Sequence, residues 1–175
     1  LNGDGVIDDN DKYAVGHGLA PRLTYGFSLG AEWNGFDFSC LFQGNAGLQV
    51  YWQDKFYMGY INYGDVINKE IAEGAWREGR TNATYPRLLT GLNTLNAQPS
   101  DFWVQNKSYL RLKNVQIGYK IPKKLLQKLD ISQLRLYTSL ENMLTFTSYK
   151  GIDPEISGTT YPTMKQITVG VNVVF

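Results

Sequence analysis

Cysteine is nearly absent from this chain: Cys40 is the single one among 175 residues. No internal disulfide framework and no cysteine-held zinc site can be built, and the redox compartment stays open. Histidine is as scarce. His17 stands alone, no motif places a Ser or Cys nucleophile beside it, and a loop histidine without catalytic role is expected. There is no excess of one charge, with 17 Lys+Arg against 16 Asp+Glu, so the electrostatic footprint of a nucleic-acid binder is missing. No apolar run approaches the roughly 18 to 20 residues of a membrane helix, and no basic-then-apolar signal segment opens the chain.

Aromatics and glycine are plentiful instead: 12 Tyr, 8 Phe, 4 Trp and 18 Gly. That mix favours strands joined by turns over helices. The clearest pattern is "QITVGVNVVF", where Ile167, Val169, Val171, Val173 and Phe175 alternate with Gln166, Thr168, Gly170 and Asn172. Period-two alternation is the mark of a strand with one apolar face. Upstream, "RLTYGFSLGA" puts Leu23, Tyr25, Phe27, Leu29 and Ala31 on one face, and after the Asn34-Gly35 hairpin signal "FDFSCLFQG" aligns Phe36, Phe38, Cys40 and Phe42, with Leu41 as the exception. Cys40 on that face reads as a small lipid-facing or buried hydrophobe.

Two further stretches follow. "SYLRLKNVQIGYKIP" alternates from Val115 to Ile121, but Leu110 and Leu112 have the opposite parity, which predicts a bulge or face switch near Asn114. "LRLYTSLENMLTF" carries Leu134, Leu136, Thr138, Leu140, Leu144 and Phe146 on one side, with Asn142 breaking the row. Five strands of about nine to fifteen residues are long for a soluble domain. The links Ala31 to Gly35 and Pro122 to Gln133 are short, the latter with one helical turn expected in "KKLLQKL", whereas Gly44 to Asn106 and Ser148 to Lys165 are long. In an up-and-down meander the short links fall at one end and the long ones at the other.

Long strands with one apolar and one polar face, and long loops at one end only, suit an outer-membrane barrel, because lipid offers no hydrogen bonds and sheet edges must close. Arg22, Asp37, Arg135 and Glu141 would face the lumen, while Tyr25, Phe36, Tyr119, Phe146, Tyr149 and Phe175 would suit interfacial girdles. Bacterial single-chain barrels use an even number of strands from eight upward, so strands before Leu1 are expected. Alternation of this kind also occurs in soluble sandwiches; strand length, loop distribution and the final Phe weigh towards the membrane.

The opening "LNGDGVIDDND" fits the calcium-loop pattern D-x-[DN]-x-[DN]-G-x₅-[DE] from its third position on. Asn2, Asp4, the Val6 carbonyl, Asp8 and Asp11 would supply oxygen ligands to Ca²⁺, with Gly5 at the turn and the first ligand falling before Leu1. The alternative is an Asx- and Gly-rich turn without metal. In the long loop, Tyr51, Trp52, Phe56, Tyr57, Tyr60, Tyr63, Trp76 and Trp103 could stack on sugar rings, grip a peptide or meet a protein partner, or pack the loop's own core. "NKEIAEGAWREG" predicts a short helix over roughly 66 to 77, and Asp153 and Glu155 flanking Pro154 read as turn-formers.

Taken in order, "NGDGVIDDND", "YGFSLGAEWNGFDFSCLFQG", "YPRL", "SYLRLKNVQIGYKIP", "LRLYTSLENMLTFTSYKGIDPE" and a last strand ending in Phe resemble the C-terminal part of SusC/RagA-type TonB-linked outer-membrane transporters of Bacteroidota. The resemblance covers nearly the whole chain, and "SYLRLKNVQIGY" and "YKGIDPE" are its most specific pieces. It implies a barrel of about 22 strands, a plug domain, an N-terminal contact with TonB, a SusD-type surface lipoprotein, and import of oligosaccharides or peptides without enzymatic chemistry. On that reading residues 1–20 are an outer loop with the calcium-like turn, 22–44 a hairpin, 45–105 a long outer loop and 106–175 the last three strands. The competing reading is a secreted, calcium-stabilised β-sandwich that binds carbohydrate. A lipolytic barrel enzyme is a third option, against which the lack of a Ser/His motif counts.

Overall fold

The computed structural model describes residues 2–6, 8–14, 16, 18, 20–51, 60–61, 67–90, 99–127, 130–156 and 161–175. Two compact units result, one of Leu1–Gly16 with Val50–Gln105 and one of His17–Gln49 with Asn106–Phe175.

The second unit is an antiparallel sheet. Its strands are β1 (Leu23–Trp33), β2 (Phe36–Ala46), β7 (Tyr109–Lys120), β8 (Gln133–Thr147) and β9 (Gln166–Val174), in the order β1-β2-β7-β8-β9. They are the five alternating stretches of the sequence, each within two or three residues of its expected ends. Asn34 and Gly35 close the first hairpin with φ of 47° and 86°. Both central residues thus occupy the left-handed region that a two-residue hairpin turn requires. The β7–β8 link holds the short helix α2 (Lys123–Leu126), whose Leu126 is buried.

The irregularity expected near Asn114 is present. On both neighbours the pairing of β7 skips between Leu112 and Asn114, leaving Lys113 without a partner in the ladder. The skip moves Leu110 and Leu112 onto the face of Val115, Ile117 and Tyr119, reconciling two parities that a regular strand would keep opposed. Opposite the bulge, Asn142 takes φ 54°, a value that asparagine tolerates better than most residues. Its side-chain amide donates to the Met164 carbonyl at 3.0 Å.

Registers place Phe27 across from Phe42, Leu29 from Cys40, Phe38 from Ile117, Ile117 from Thr138 and Leu136 from Val171. One face of the sheet is therefore continuously apolar. It is also the exposed one: Leu29 is 58% accessible and Val169 80%, and Phe27, Phe38, Ile117, Leu136, Leu144, Phe146, Ile167 and Val171 are exposed with them. The polar face holds buried polar groups, among them Arg111 and Ser139, while Cys40 is buried on the apolar face. A water-soluble sheet has the reverse polarity. Glycine sharpens the packing at two places where a ring lies flat on the backbone. A Cβ on Gly44 would come within 2.7 Å of the Tyr25 ring, and one on Gly170 within 2.5 Å of the Tyr137 hydroxyl.

In the first unit, α1 (Lys69–Gly74) begins at Asn68, whose side chain accepts from the Glu70 N–H at 2.9 Å, and ends where Ala75 turns extended. It is shorter than the sequence expectation of 66 to 77, because Gly74 and the extended Ala75 stop it and Trp76 instead donates to the Tyr85 carbonyl at 2.9 Å. Ile71 is fully buried and Trp103 nearly so. The strand pairs β3 (Gln49–Tyr51) with β6 (Val104–Asn106) and β4 (Tyr60–Ile61) with β5 (Leu89–Thr90) complete the elements.

Candidate functional site

Alternation delivers one set of charged side chains to the polar face, and two clusters form there. In the first, Arg135 of β8 reaches across Gly118 of β7 to Asp37 of β2: its Nε donates to Asp37 Oδ2 at 2.8 Å, and its Nη2 donates both to Asp37 Oδ1 and, at 3.0 Å, to Gln116 Oε1. The guanidinium also lies 5.1 Å from the Tyr137 ring centroid. Glycine between them leaves room for the bridge, since a Cβ at 118 would come within 2.6 Å of Asp37 Oδ1 and make the two side chains shift. Asn114 donates to Ser139 beside this group at 2.9 Å.

The second cluster joins β7 to the segment after β8. Arg111 donates to Thr145 Oγ1 (2.8 Å), to Glu155 Oε2 (2.9 Å) and to Asp153 Oδ1 (2.8 Å), and Lys113 donates to the same Glu155 oxygen at 2.7 Å. The bulge leaves Lys113 free to make this contact. Asp153 further accepts from the backbone N–H of Glu155 at 2.8 Å and of Thr163 at 3.0 Å. Burial opposes ionisation of Asp153, but the Arg111 guanidinium and these N–H donors outweigh it and hold the carboxyl down at about 2. Arg111 is 4% accessible and Asp153 5%. Nearby, Lys107 donates to the Ile156 carbonyl and lies 5.5 Å from the Tyr149 ring centroid; burial pushes its ammonium below the ordinary lysine value, against the pull of Asp153.

Asp153 and Glu155, expected only to set a turn, thus do that and also clamp the chain onto the sheet. The parity of Arg111, opposite that of Leu110 and Leu112, gave the face on which it lies, but nothing in the sequence pointed to these partners more than 40 residues away. Tyr149, expected in an interfacial girdle, instead packs on Lys107, because Thr147 ends β8 and the chain turns onto the polar face. Tyr25 does keep the apolar face, and its hydroxyl donates to the Tyr109 carbonyl at 3.1 Å.

Of the aromatic loop residues, Trp52, Phe56, Tyr57 and Tyr63 lie outside the described residues, as do His17 and the side chain of Tyr60. Tyr51 is half-buried in β3. Trp76 lines an open hollow of about 410 Å³ with Tyr85, Pro86, Arg87 and Phe102. Arg87 lies 5.7 Å from the Trp76 ring centroid, and Phe102 meets Trp103 edge-on at 4.8 Å. Such a hollow offers flat apolar surface and one cation.

In the calcium-like loop, Asp4 Oδ1 accepts from the Val6 N–H at 2.7 Å, Asp8 Oδ1 from the Asn10 N–H at 2.8 Å, and Asp11 from the N–H groups of Asn2 and Asp8 at 2.7 and 3.0 Å. Those bonds hold the Asp4 and Asp11 carboxyls below the usual carboxylate range. Gly5 has φ 81°, as the sharp turn requires. The donor set is all oxygen, the chemistry calcium prefers, yet among the described residues no group of three or more His, Cys, Asp or Glu is gathered as for a metal.

No family model matches the chain. The TonB-dependent receptor P3 of Formosa agariphila is 31% identical over 191 residues, covering 100% of this chain and 18% of that protein. The TonB-dependent receptor SusC of Bacteroides thetaiotaomicron is 27% identical over 187 residues, covering 99% of the chain and 17% of its own length. Among solved structures, the RagAB peptide importer in its open-open state superposes with TM-score 0.70 at 31% identity, over 90% of this chain and 17% of that one. The chain therefore spans about a fifth of the length of the curated relatives it matches. In sequence over its whole length, and in fold over nine-tenths of it, the chain is homologous to one segment of the TonB-dependent receptors of the SusC and RagA type.

Proposed function

We propose that this chain forms the C-terminal wall of an outer-membrane, TonB-dependent importer of oligosaccharides or peptides in a Gram-negative bacterium. The observation that carries the reading is the inverted polarity of the sheet, with apolar side chains exposed and charged ones buried. Lipid is the environment in which that arrangement is stable. β1 and β9 are the sheet's two edges, and further strands of a longer protein would pair with them to close a barrel of about 22 strands. The clusters around Arg135 and Arg111 would then face the lumen, and the segment clamped by Asp153 would line it.

On the same reading a SusD-like surface lipoprotein meets the long loops and TonB acts through parts outside this chain. The aromatic loop residues Tyr51, Trp52, Phe56, Tyr57, Tyr60, Tyr63 and Trp76 serve substrate or partner. No step of bond chemistry is assigned to any residue. A carbohydrate-binding sandwich fits less well, since its apolar face would be buried. The test is fractionation of the native host followed by intact mass in detergent. A heat-modifiable membrane protein several times 19.8 kDa is expected; a soluble protein near that mass would sink the reading.

The opening loop is proposed to bind Ca²⁺ through Asn2, Asp4, the Val6 carbonyl, Asp8 and Asp11, tying an outer loop. Support comes from the all-oxygen donors and the left-handed Gly5. The thermal midpoint of the full receptor is expected to fall on EGTA treatment, and to be insensitive to EGTA in D4N/D8N. Identical midpoints for the native receptor with and without calcium would remove the metal from the account.

A further inference from the structure

The short-link end of the sheet carries groups that neither polar cluster uses. Trp33 and Phe36 form a cross-strand pair flanking the Asn34–Gly35 turn. The Phe36 ring packs against Tyr119 of β7 at a tilt of 40°, centroids 4.5 Å apart. Trp33 and Phe36 are both exposed at the border of the apolar face.

Immediately past Tyr119 the chain becomes cationic. Lys120 is engaged by Glu32 of β1 at 3.3 Å. Beyond Pro122, α2 presents Lys123 and Lys124, both exposed and, among the described residues, without an ion-pair partner. Buried Leu126 holds α2 in place against β8, while its neighbour Leu125 projects into the surroundings. The single acidic residue in the sequence of the link is Asp130, exposed at its far side with φ 50°.

Rings at the border of an apolar face settle at headgroup depth. Lysines just beyond them meet phosphates, with their methylene stems against the apolar layer. An exposed leucine beside the lysines adds a reason to sit at that boundary. A single helical turn offers no groove for a protein, whereas exposed rings at the border of the apolar face, followed along the chain by two exposed lysines and Leu125, match a planar anionic surface in charge and polarity.

We propose that Lys123, Lys124 and Leu125 form a docking surface for anionic phospholipid headgroups, in the leaflet bordering the short-link end. The proposal rests on the apolar face being lipid-facing. The experiment is native mass spectrometry of the full receptor from detergent, with added dioleoylphosphatidylglycerol or dioleoylphosphatidylethanolamine. The native receptor is expected to retain the anionic lipid with a preference of roughly tenfold. K123Q/K124Q should reduce the preference to near unity with heat-modifiable migration unchanged, and K123R/K124R should keep it. Equal retention of the two lipids by the native receptor, or an undiminished preference in K123Q/K124Q, overturns the proposal while leaving the barrel intact. A receptor that shows no heat-modifiable migration and partitions into the aqueous fraction overturns the barrel reading and this one together.

Discussion

At the scale of single residues, the most consequential is Arg111. It is buried with five N–H donors, three of which are spent on Thr145, Glu155 and Asp153. Replacing it with methionine leaves Asp153 without its cation and Glu155 with Lys113 alone, and breaking a buried pair costs about 3–5 kcal/mol. The R111M variant is expected to release the segment around Lys150, measured as faster tryptic cleavage there; an unchanged rate would mean that Lys113 and the backbone donors suffice. The same clasp has a pH limit. Because the Asp153 carboxyl is lowered from its ordinary value to about 2, its contribution is present in full above about pH 4. It is lost as pH falls through about 2. Tryptic sites cannot be read there, so cleavage by pepsin between pH 4 and pH 2 is the measurement, with protection expected to decline across that window. Gly118 is a second sensitive position. G118L drives a side chain into the space of the Arg135–Asp37 bridge, and reduced assembly of the heat-modifiable form is expected, whereas alanine is milder because the Arg135 arm can shift.

At the scale of elements, alternation predicts opposite outcomes for neighbouring positions on one strand. Val169 lies on the exposed apolar face of β9, opposite Thr138. An arginine there would stand in lipid, at a cost of about 2–4 kcal/mol near the bilayer midplane. Thr168, one residue earlier and on the other face, should accept arginine with little loss. Urea unfolding of the reconstituted receptor checks the pair, and equal tolerance at both sites would mean that Val169 faces water, which would contradict a lipid-facing surface. Turns are similarly specific. Both Asn34 and Gly35 have positive φ, so G35V is expected to impair the hairpin by about 1–2 kcal/mol. A Cβ there would also come within 3.1 Å of the Lys120 carbonyl. The five long strands were legible in the sequence because their signal is local: each side chain's face follows from its parity. The face switch in β7 was legible too, since Leu112 and Val115 cannot share a face without an extra residue between them. The length of α1 was not, because Gly74 stops it through tertiary contacts, its carbonyl accepting from Thr84 and Tyr85 N–H at 3.0 and 3.1 Å.

For the whole molecule, two open sheet edges and an exposed apolar face argue that these 175 residues are not stable alone in water. Expressed alone, the chain is expected to aggregate without detergent and to lack heat-modifiable migration even with it. A monodisperse soluble monomer would contradict this. What the sequence determined by itself is everything that depends on neighbours along the chain: which stretches extend, which residues share a face, where the first hairpin turns, and the family its ordered motifs resemble. What only the tertiary structure decided is which face is buried and what meets upon it. Arg111 and Asp153 are 42 residues apart, and Arg135 and Asp37 are 98 apart. Such pairs depend on strand register and on the path of the chain after β8, and parity along a single strand carries no information about either.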